Sequence, residues 1–218
     1  LDYLNGKSYQ AALSDKTLSF EIINQINELK ANDLLSQIIL KGTSATDFHL
    51  FVQDFMKNNR FRQVNFQTFD HAFSENFRWH LSEIFPKYFD RQELPAFQVK
   101  NFRIKRILSP TEEEEDPWTP HTKFRIEFDV LNQSDVDGVI TMHLGTAIYK
   151  AGPDRRVDRM LYTPRTFSVK AREAKKIIFI CPHPVVSHSI YTGLSKNRPN
   201  IFDIHDKTIT LEKGMEST

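Results

Sequence analysis

The sequence predicts an α+β chain: a helical segment over residues 1–93, followed by an all-β sandwich of immunoglobulin-like type over residues 94–218. Three observations predict it. Ahead of Leu94-Pro95 the apolar residues recur at helical spacing. Behind it they alternate with polar residues between turn signals. About seven such alternating runs follow one another with no helical run among them, as in a sandwich. A length of 218 residues leaves room for two domains.

The helical segment reads in order. Ser19-Phe20-Glu21-Ile22 opens an amphipathic run carrying Ile22, Ile23, Ile26 and Leu29, then Leu34, Leu35, Ile38 and Ile39, and it stops at Gly42. Ser44-Ala45-Thr46-Asp47 opens the next, because a Ser with an acid three residues later caps the free backbone donors of a first turn. Phe48, Phe51, Val52, Phe55 and Met56 then fall on one helical face. Asn65 is placed to cap a short helix holding Phe66, Phe69 and Phe73. A last helix is expected from Phe77 to Phe89, bent or broken at Pro86.

Beyond Pro95, strands are expected at about 97–107, 123–131, 138–149, 159–169, 175–181 and 187–193, with a last one near 207–211. Phe124, Ile126, Phe128 and Val130 alternate with Arg125, Glu127 and Asp129, as in a half-buried strand. Asp137-Gly138 reads as a hairpin turn in which Gly takes a positive φ. The 18 Phe residues need several packed layers to absorb them.

Charge narrows the partners. Net charge is +1, with 10 basic and 11 acidic residues from Leu1 to Gln92 and 19 and 17 in the remainder. That balance lacks the footprint of a nucleic-acid binder or a polybasic membrane patch. No apolar run reaches the ~18 residues of a membrane span, so no direct membrane insertion is expected. The single cysteine, Cys181, excludes an internal disulfide and a zinc cage built on cysteines.

Candidate chemistry is sparse. A zinc peptidase of the gluzincin class needs H-E-x-x-H on a helix, and none of the eight His is followed by Glu. His183 and His188 stand five apart, which suits neither a helix face nor one side of a strand. His80 and Glu83 have the i, i+3 spacing of di-iron helices, but no second copy is present. No G-x-S-x-G elbow presents a serine nucleophile, and Cys181 at a strand end reads as a buried, inert thiol. Asp135-Val136-Asp137-Gly138 fails as a calcium loop, because Gln133 and Leu144 occupy ligand positions. Asn132-Gln133-Ser134 is a glycosylation sequon, of consequence in a eukaryotic secretory route. The sequence therefore predicts a non-enzyme, with no catalytic, cofactor or metal residue in this chain.

Two loops are candidate protein contacts. Glu112 to Asp116 and the following Pro117-Trp118-Thr119-Pro120 form a charged, Pro-rich insert in which Trp118 is an anchor candidate. Arg155, Arg156 and Arg159 follow Gly152-Pro153 as a basic set able to dock an acidic partner or lipid.

The chain also carries ordered phrases of a known family. These are Phe51-Val52-Gln53-Asp54-Phe55-Met56, then Phe66-Gln67-Thr68-Phe69-Asp70-His71-Ala72-Phe73, then Trp79-His80-Leu81-Ser82-Glu83-Ile84-Phe85 and Leu94-Pro95-Ala96-Phe97-Gln98-Val99. The stretch from Asp47 to Phe97 resembles the closing helices of the aminopeptidase N-type (gluzincin) catalytic domain as they enter a β-sandwich. Phe128 to Asn132, Val136 to Val139 and Leu194-Ser195-Lys196-Asn197-Arg198-Pro199 resemble a subgroup fused to ABC-type transporter permeases. The likeness runs from Asp47 to Pro199; Leu1 to Gly42 match no part of it.

The resemblance implies the non-catalytic C-terminal part of a membrane-associated zinc-peptidase-like protein, on an extracytoplasmic membrane face or in a periplasm. Zinc and its ligands would lie upstream of Leu1, and the first partner would be that upstream domain, with a peptide or protein as a further one. The alternative is a free-standing immunoglobulin-like binding or adhesion protein of the cell envelope.

Overall fold

The computed structural model describes residues 2–108, 123–149, 157–197, 201–203 and 209–213. The chain divides into two compact units, Leu1–Leu94 and Pro95–Thr218. The first is helical and the second is built of two β-sheets.

The helical unit contains α1 (Tyr9–Ser14), α2 (Phe20–Leu40), α3 (Ala45–Asn58), α4 (Phe66–Phe77) and α5 (Phe85–Asp90). Each of the first four starts on a side-chain cap. Ser8 accepts from the Ala11 amide at 3.1 Å, Ser19 from Ile22 at 3.4 Å, Ser44 from Asp47 at 3.0 Å and Asn65 from Thr68 at 2.9 Å. These bonds satisfy amides that the helices leave free, and each stabilises by about 1 kcal/mol. Helix α2 stops where Gly42 takes φ 93°. The expected starts at Ser19, Ser44 and Asn65 therefore match, whereas α1 is only six residues long, so Tyr9, Ala12 and Leu13 give a single short turn of apolar spacing.

The expected helix from Phe77 to Phe89 does not form. Arg78 takes φ 62° and its amide donates to the Ser74 carbonyl at 2.8 Å, which closes α4. Trp79 and His80 then leave the helix, a 3-10 turn covers Leu81–Glu83, and α5 begins at Phe85 with Pro86 in its first turn. A proline there loses no hydrogen bond, so it starts a helix instead of bending one.

The unit's core is aromatic. Ile38, Phe51, Phe55, Phe73 and Leu81 are buried together. The Phe51 ring lies 5.4 Å from Phe69, 5.5 Å from Phe77 and 5.7 Å from Phe73, and Phe73 also meets Trp79 edge-on at 4.8 Å. Edge-to-face pairs of this kind add about 0.5–1.5 kcal/mol each beyond area burial.

The β unit has eight strands among the described residues: β1 (Phe97–Leu108), β2 (Lys123–Asn132), β3 (Gly138–Tyr149), β4 (Val157–Val169), β5 (Ala174–Cys181), β6 (Val185–Tyr191), β7 (Ile201–Asp203) and β8 (Ile209–Lys213). One sheet runs β5-β2-β1-β8 and the other β4-β3-β6-β7. All pairings are antiparallel except β1 with β8, which is parallel. Both sheets feed one core, in which Phe97, Ile104, Phe124 and Phe128 of the first meet Ile140, Met142, Leu144 and Ile190 of the second. In β1, Asn101 at φ 54° makes a bulge that shifts the inward set from Phe97 and Val99 to Phe102 and Ile104.

The turn reading at Asp137-Gly138 is corrected. Asp137-Gly138 is no hairpin: β2 and β3 lie in different sheets, and Gly138 lies outside the positive-φ set. Its need is space, because a Cβ there would stand 2.4 Å from the Phe97 ring and 2.6 Å from Pro95 Cβ. The sequon Asn132 is fully buried. Its amide donates to the Val136 carbonyl at 2.8 Å and the Lys170 carbonyl at 3.1 Å. Its oxygen accepts from the Ser134 hydroxyl at 2.8 Å and amide at 3.1 Å, so the folded chain offers no glycan acceptor.

Two of the phrases that carry the resemblance interlock. The Asn197 side chain donates to the Phe97 carbonyl at 2.7 Å and accepts from the Phe97 amide at 2.8 Å, and the Lys196 amide donates to the Pro95 carbonyl at 2.7 Å. Asn197 thus acts as a strand neighbour for the first residue of β1. Asn197→Ala is expected to cost about 1–2 kcal/mol, read from urea unfolding midpoints, since both groups of Phe97 lose their partner.

Candidate interaction surfaces

Of the sequence-predicted contact residues, Trp118, Arg155 and Arg156 lie outside the described residues. Arg159 is exposed on β4, paired with Ile148 of β3. β4 is an edge strand thirteen residues long, exposed along most of its length, with Tyr162 at 73% exposure. Pro164, opposite His143, carries no amide to lend to a further strand. A proline at such an edge blunts pairing with other chains.

The outer face of the β5-β2-β1-β8 sheet holds a charge cluster that the alternation did not signal. Glu127 sits at a polar position of β2 yet is only 5% exposed. It is covered by Arg125 at 3.6 Å, Lys105 at 3.8 Å and Arg103 at 4.0 Å. Strand register produces the arrangement: Arg103 of β1 pairs directly with Glu127, and Lys105 with Arg125. Neighbouring on this sheet is a groove of about 250 Å³ lined by Gln98, Lys100, Asp129, Leu131, Lys175 and Lys176. The face is a mixed-charge platform suited to polar contacts.

In the helical unit, Lys30 of α2 is buried with its ammonium donating to the Tyr88 carbonyl at 3.0 Å and lying 4.5 Å from the Tyr88 ring centroid. The Tyr88 hydroxyl in turn donates to the Lys30 carbonyl. Burial pushes the Lys30 ammonium down to about 8, with Asp33 opposing and Arg91 adding to the shift. Burial also holds the Tyr88 phenol well above its ordinary value and raises the Asp33 carboxyl. This arrangement reads as a tie between α2 and α5, because the charges are enclosed.

A pH test follows. The folded chain binds Lys30's proton less tightly than the unfolded chain, whose lysine titrates near 10.5. Between pH 8 and pH 10 the unfolded state therefore holds more protons, and stability rises with pH by up to about 1.4 kcal/mol per unit. Above about pH 10, ionisation of Tyr88 in the unfolded state reverses the trend. Unfolding curves from pH 7 to 10 followed at helical wavelengths are expected to show the rise in the helical unit, and Lys30→Met to flatten it, while the raised Cys181 thiol acts in the opposite sense in the β unit.

His80, Ser82 and Asp70 converge. The Ser82 hydroxyl donates to Asp70 at 2.8 Å, and His80 Nδ1 lies 3.2 Å from the same oxygen. Burial works to raise the Asp70 carboxyl, but bonds from the Ser82 hydroxyl and amide and from His80 outweigh it and leave the group below its ordinary value. The order differs from a hydrolase triad. There His bridges Ser and Asp, whereas here His80 and Ser82 both bond to Asp70 and the histidine does not lie between them. Glu83, the partner in the di-iron spacing, accepts from the His80 amide at 3.3 Å and pairs with Lys41 at 3.1 Å.

Cys181 is buried, its thiol donates to the His183 carbonyl at 3.4 Å, and burial raises it above the ordinary thiol value. His188 stacks on Phe102 at 4.6 Å. Among the described residues, no group of three or more His, Cys, Asp or Glu converges on one point. No helix among them is long and apolar enough to cross a membrane.

No protein-family model matches the chain, and no curated protein matches it. Among solved structures, a β-glucosidase from Listeria innocua is 15% identical over 55% of this chain and 16% of its own, with a TM-score of 0.28. A GH3 β-glucosidase from Bifidobacterium adolescentis is 17% identical over 57% of this chain and 19% of its own, also at 0.28. DesR, a β-glucosidase from Streptomyces venezuelae, is 12% identical over 60% and 18%, at 0.27. The chain spans less than a fifth of these enzymes, and likeness at such TM-scores carries no argument about its function.

Proposed function

We propose that this chain is a non-catalytic structural and interaction module, the C-terminal part of a membrane-associated zinc-aminopeptidase-like protein. Its helices close the back of the peptidase-like part, and its β unit braces that part or binds a peptide or protein. The observation that carries the reading is a set of exposed large apolar residues spanning the end of α1 and the start of α2. Leu13, Phe20 and Ile22 are all exposed there, Phe20 at 74%. Clustered large apolar side chains mark contact surfaces. On this reading the occupant is the upstream domain that the resemblance implies.

Two further features support the reading. The resemblance phrases around Phe97 and Asn197 are joined by hydrogen bonds, as parts of one inherited unit would be. The partition of β1, β2 and β5 into one sheet and β3, β4, β6 and β7 into the other follows the A, B, E and C, C′, F, G division of an immunoglobulin-like sandwich. The parallel β8 is an addition to that scheme. Zinc would be bound upstream, and no residue of this chain is assigned to it. The extracytoplasmic location rests on the resemblance alone.

Sequencing the gene upstream of the Leu1 codon tests the reading. It predicts H-E-x-x-H and membrane-spanning segments in the same frame. A start codon just ahead of Leu1 would overturn it and favour a free-standing binding protein of the cell envelope.

A further inference from the structure

The loop between α3 and α4 presents an aromatic ring in an unfavourable backbone conformation. Phe61 takes φ 62°, and its side chain is exposed at 103%. The left-handed region disfavours every residue with a Cβ, and bulky ones most. No packing offsets that cost, because the ring is buried against nothing. The turn is nonetheless well fixed: the Asn59 amide donates to the Phe55 carbonyl at 3.1 Å, and the Arg62 amide to the Asn59 carbonyl at 3.1 Å.

The surroundings of Phe61 are chemically consistent. Met56 and Val64 are exposed apolar neighbours in sequence. Lys57, Arg60 and Arg62 are exposed too, and no Asp or Glu occurs from Phe55 to Phe69. A balanced chain of net charge +1 therefore carries a local set of three cations around an exposed ring.

We propose that the Asn59–Asn65 loop is a peripheral membrane contact, with Phe61 seated at the headgroup–acyl boundary of an anionic bilayer and Lys57, Arg60 and Arg62 on its phosphates. Charge complementarity selects this occupant: cations flank the ring on both sides in sequence, and an anionic lipid surface answers all of them at once. Interfacial anchors combine an aromatic or aliphatic wedge with Lys and Arg in this way. A single loop gives weak, salt-sensitive binding, and each cation at the surface multiplies partitioning by roughly five. The inference is independent of the peptidase reading, since it stands or falls with this loop.

The test is co-sedimentation of the full chain with phosphatidylcholine vesicles, with and without phosphatidylglycerol. Binding is expected with the anionic vesicles at low salt, to fall as salt rises, and to be absent with phosphatidylcholine alone. Arg60→Gln with Arg62→Gln is expected to lower it roughly 25-fold. Phe61→Gly is the decisive variant. Glycine takes the turn's φ freely, so the variant should melt no lower than the parent while its partitioning falls several-fold. Absence of binding to anionic vesicles, equal binding to neutral ones, or binding unchanged in Phe61→Gly would each overturn the proposal. Phe61-dependent capture of a protein in place of vesicles would also overturn it and assign the loop to a protein groove.

Discussion

Phe73→Ala is expected to destabilise the helical unit by about 3–5 kcal/mol, the range for truncating a buried aromatic. Phe73 is fully buried and touches Phe48, Phe51, Phe77 and Trp79 with ring centroids 4.7–6.1 Å away. These neighbours come from α3, α4 and the segment after α4, so the cavity would open where three pieces of chain meet. The four rings cannot collapse into it without losing their present geometry, which is edge-to-face for Phe48, Phe51 and Trp79. A stability of about 5–15 kcal/mol is typical of a whole domain, so the loss is large for a unit of this size. Urea unfolding followed by far-UV circular dichroism at helical wavelengths measures it. Phe73→Leu, which keeps most of the volume, should recover more than half of the loss.

Asn132→Ala is expected to cost the β unit about 2–3 kcal/mol. The side chain organises a crossover from three directions, since it holds the Val136 carbonyl, the Lys170 carbonyl and both polar groups of Ser134. Its removal strips the Ser134 amide of its partner and leaves the Val136 and Lys170 carbonyls one bond each, from the Ser134 hydroxyl and the Glu173 amide; a buried amide without a partner costs about 1–3 kcal/mol. Asn132→Asp should be no better, because a carboxylate would face carbonyl oxygens in place of an amide donor. Thermal unfolding monitored by strand circular dichroism is the readout, and equal midpoints for wild type and Asn132→Ala would contradict the assignment.

What the sequence revealed divides along a physical line. The starts of α2, α3 and α4 were legible because a cap and an apolar stripe are both local signals, written at Ser19, Ser44 and Asn65. The end of α4 was not, because Arg78 adopts a left-handed conformation that its residue type does not announce. The strands from β1 to β6 were legible in outline from alternation, while three-residue β7 is too short to alternate visibly. Gly138 reads as a turn residue in the sequence, and its actual need arises from Phe97 and Pro95, which are close only after folding. Lys30 and Glu127 look like surface charges in the sequence; what encloses them is Tyr88 in one case and register across β1 in the other. Of the expected contact residues, the structure describes only Arg159, and the exposed Phe61 stood hidden among the Phe residues expected to form core.

A chain that works by contact, with any metal chemistry supplied by other parts of a longer protein, needs no metal of its own. Isothermal titration of zinc into the full chain at neutral pH tests that most directly. No saturable heat is expected beyond weak binding at exposed histidines. A single tight site of one zinc per chain, lost on replacing three of its own side chains, would contradict it.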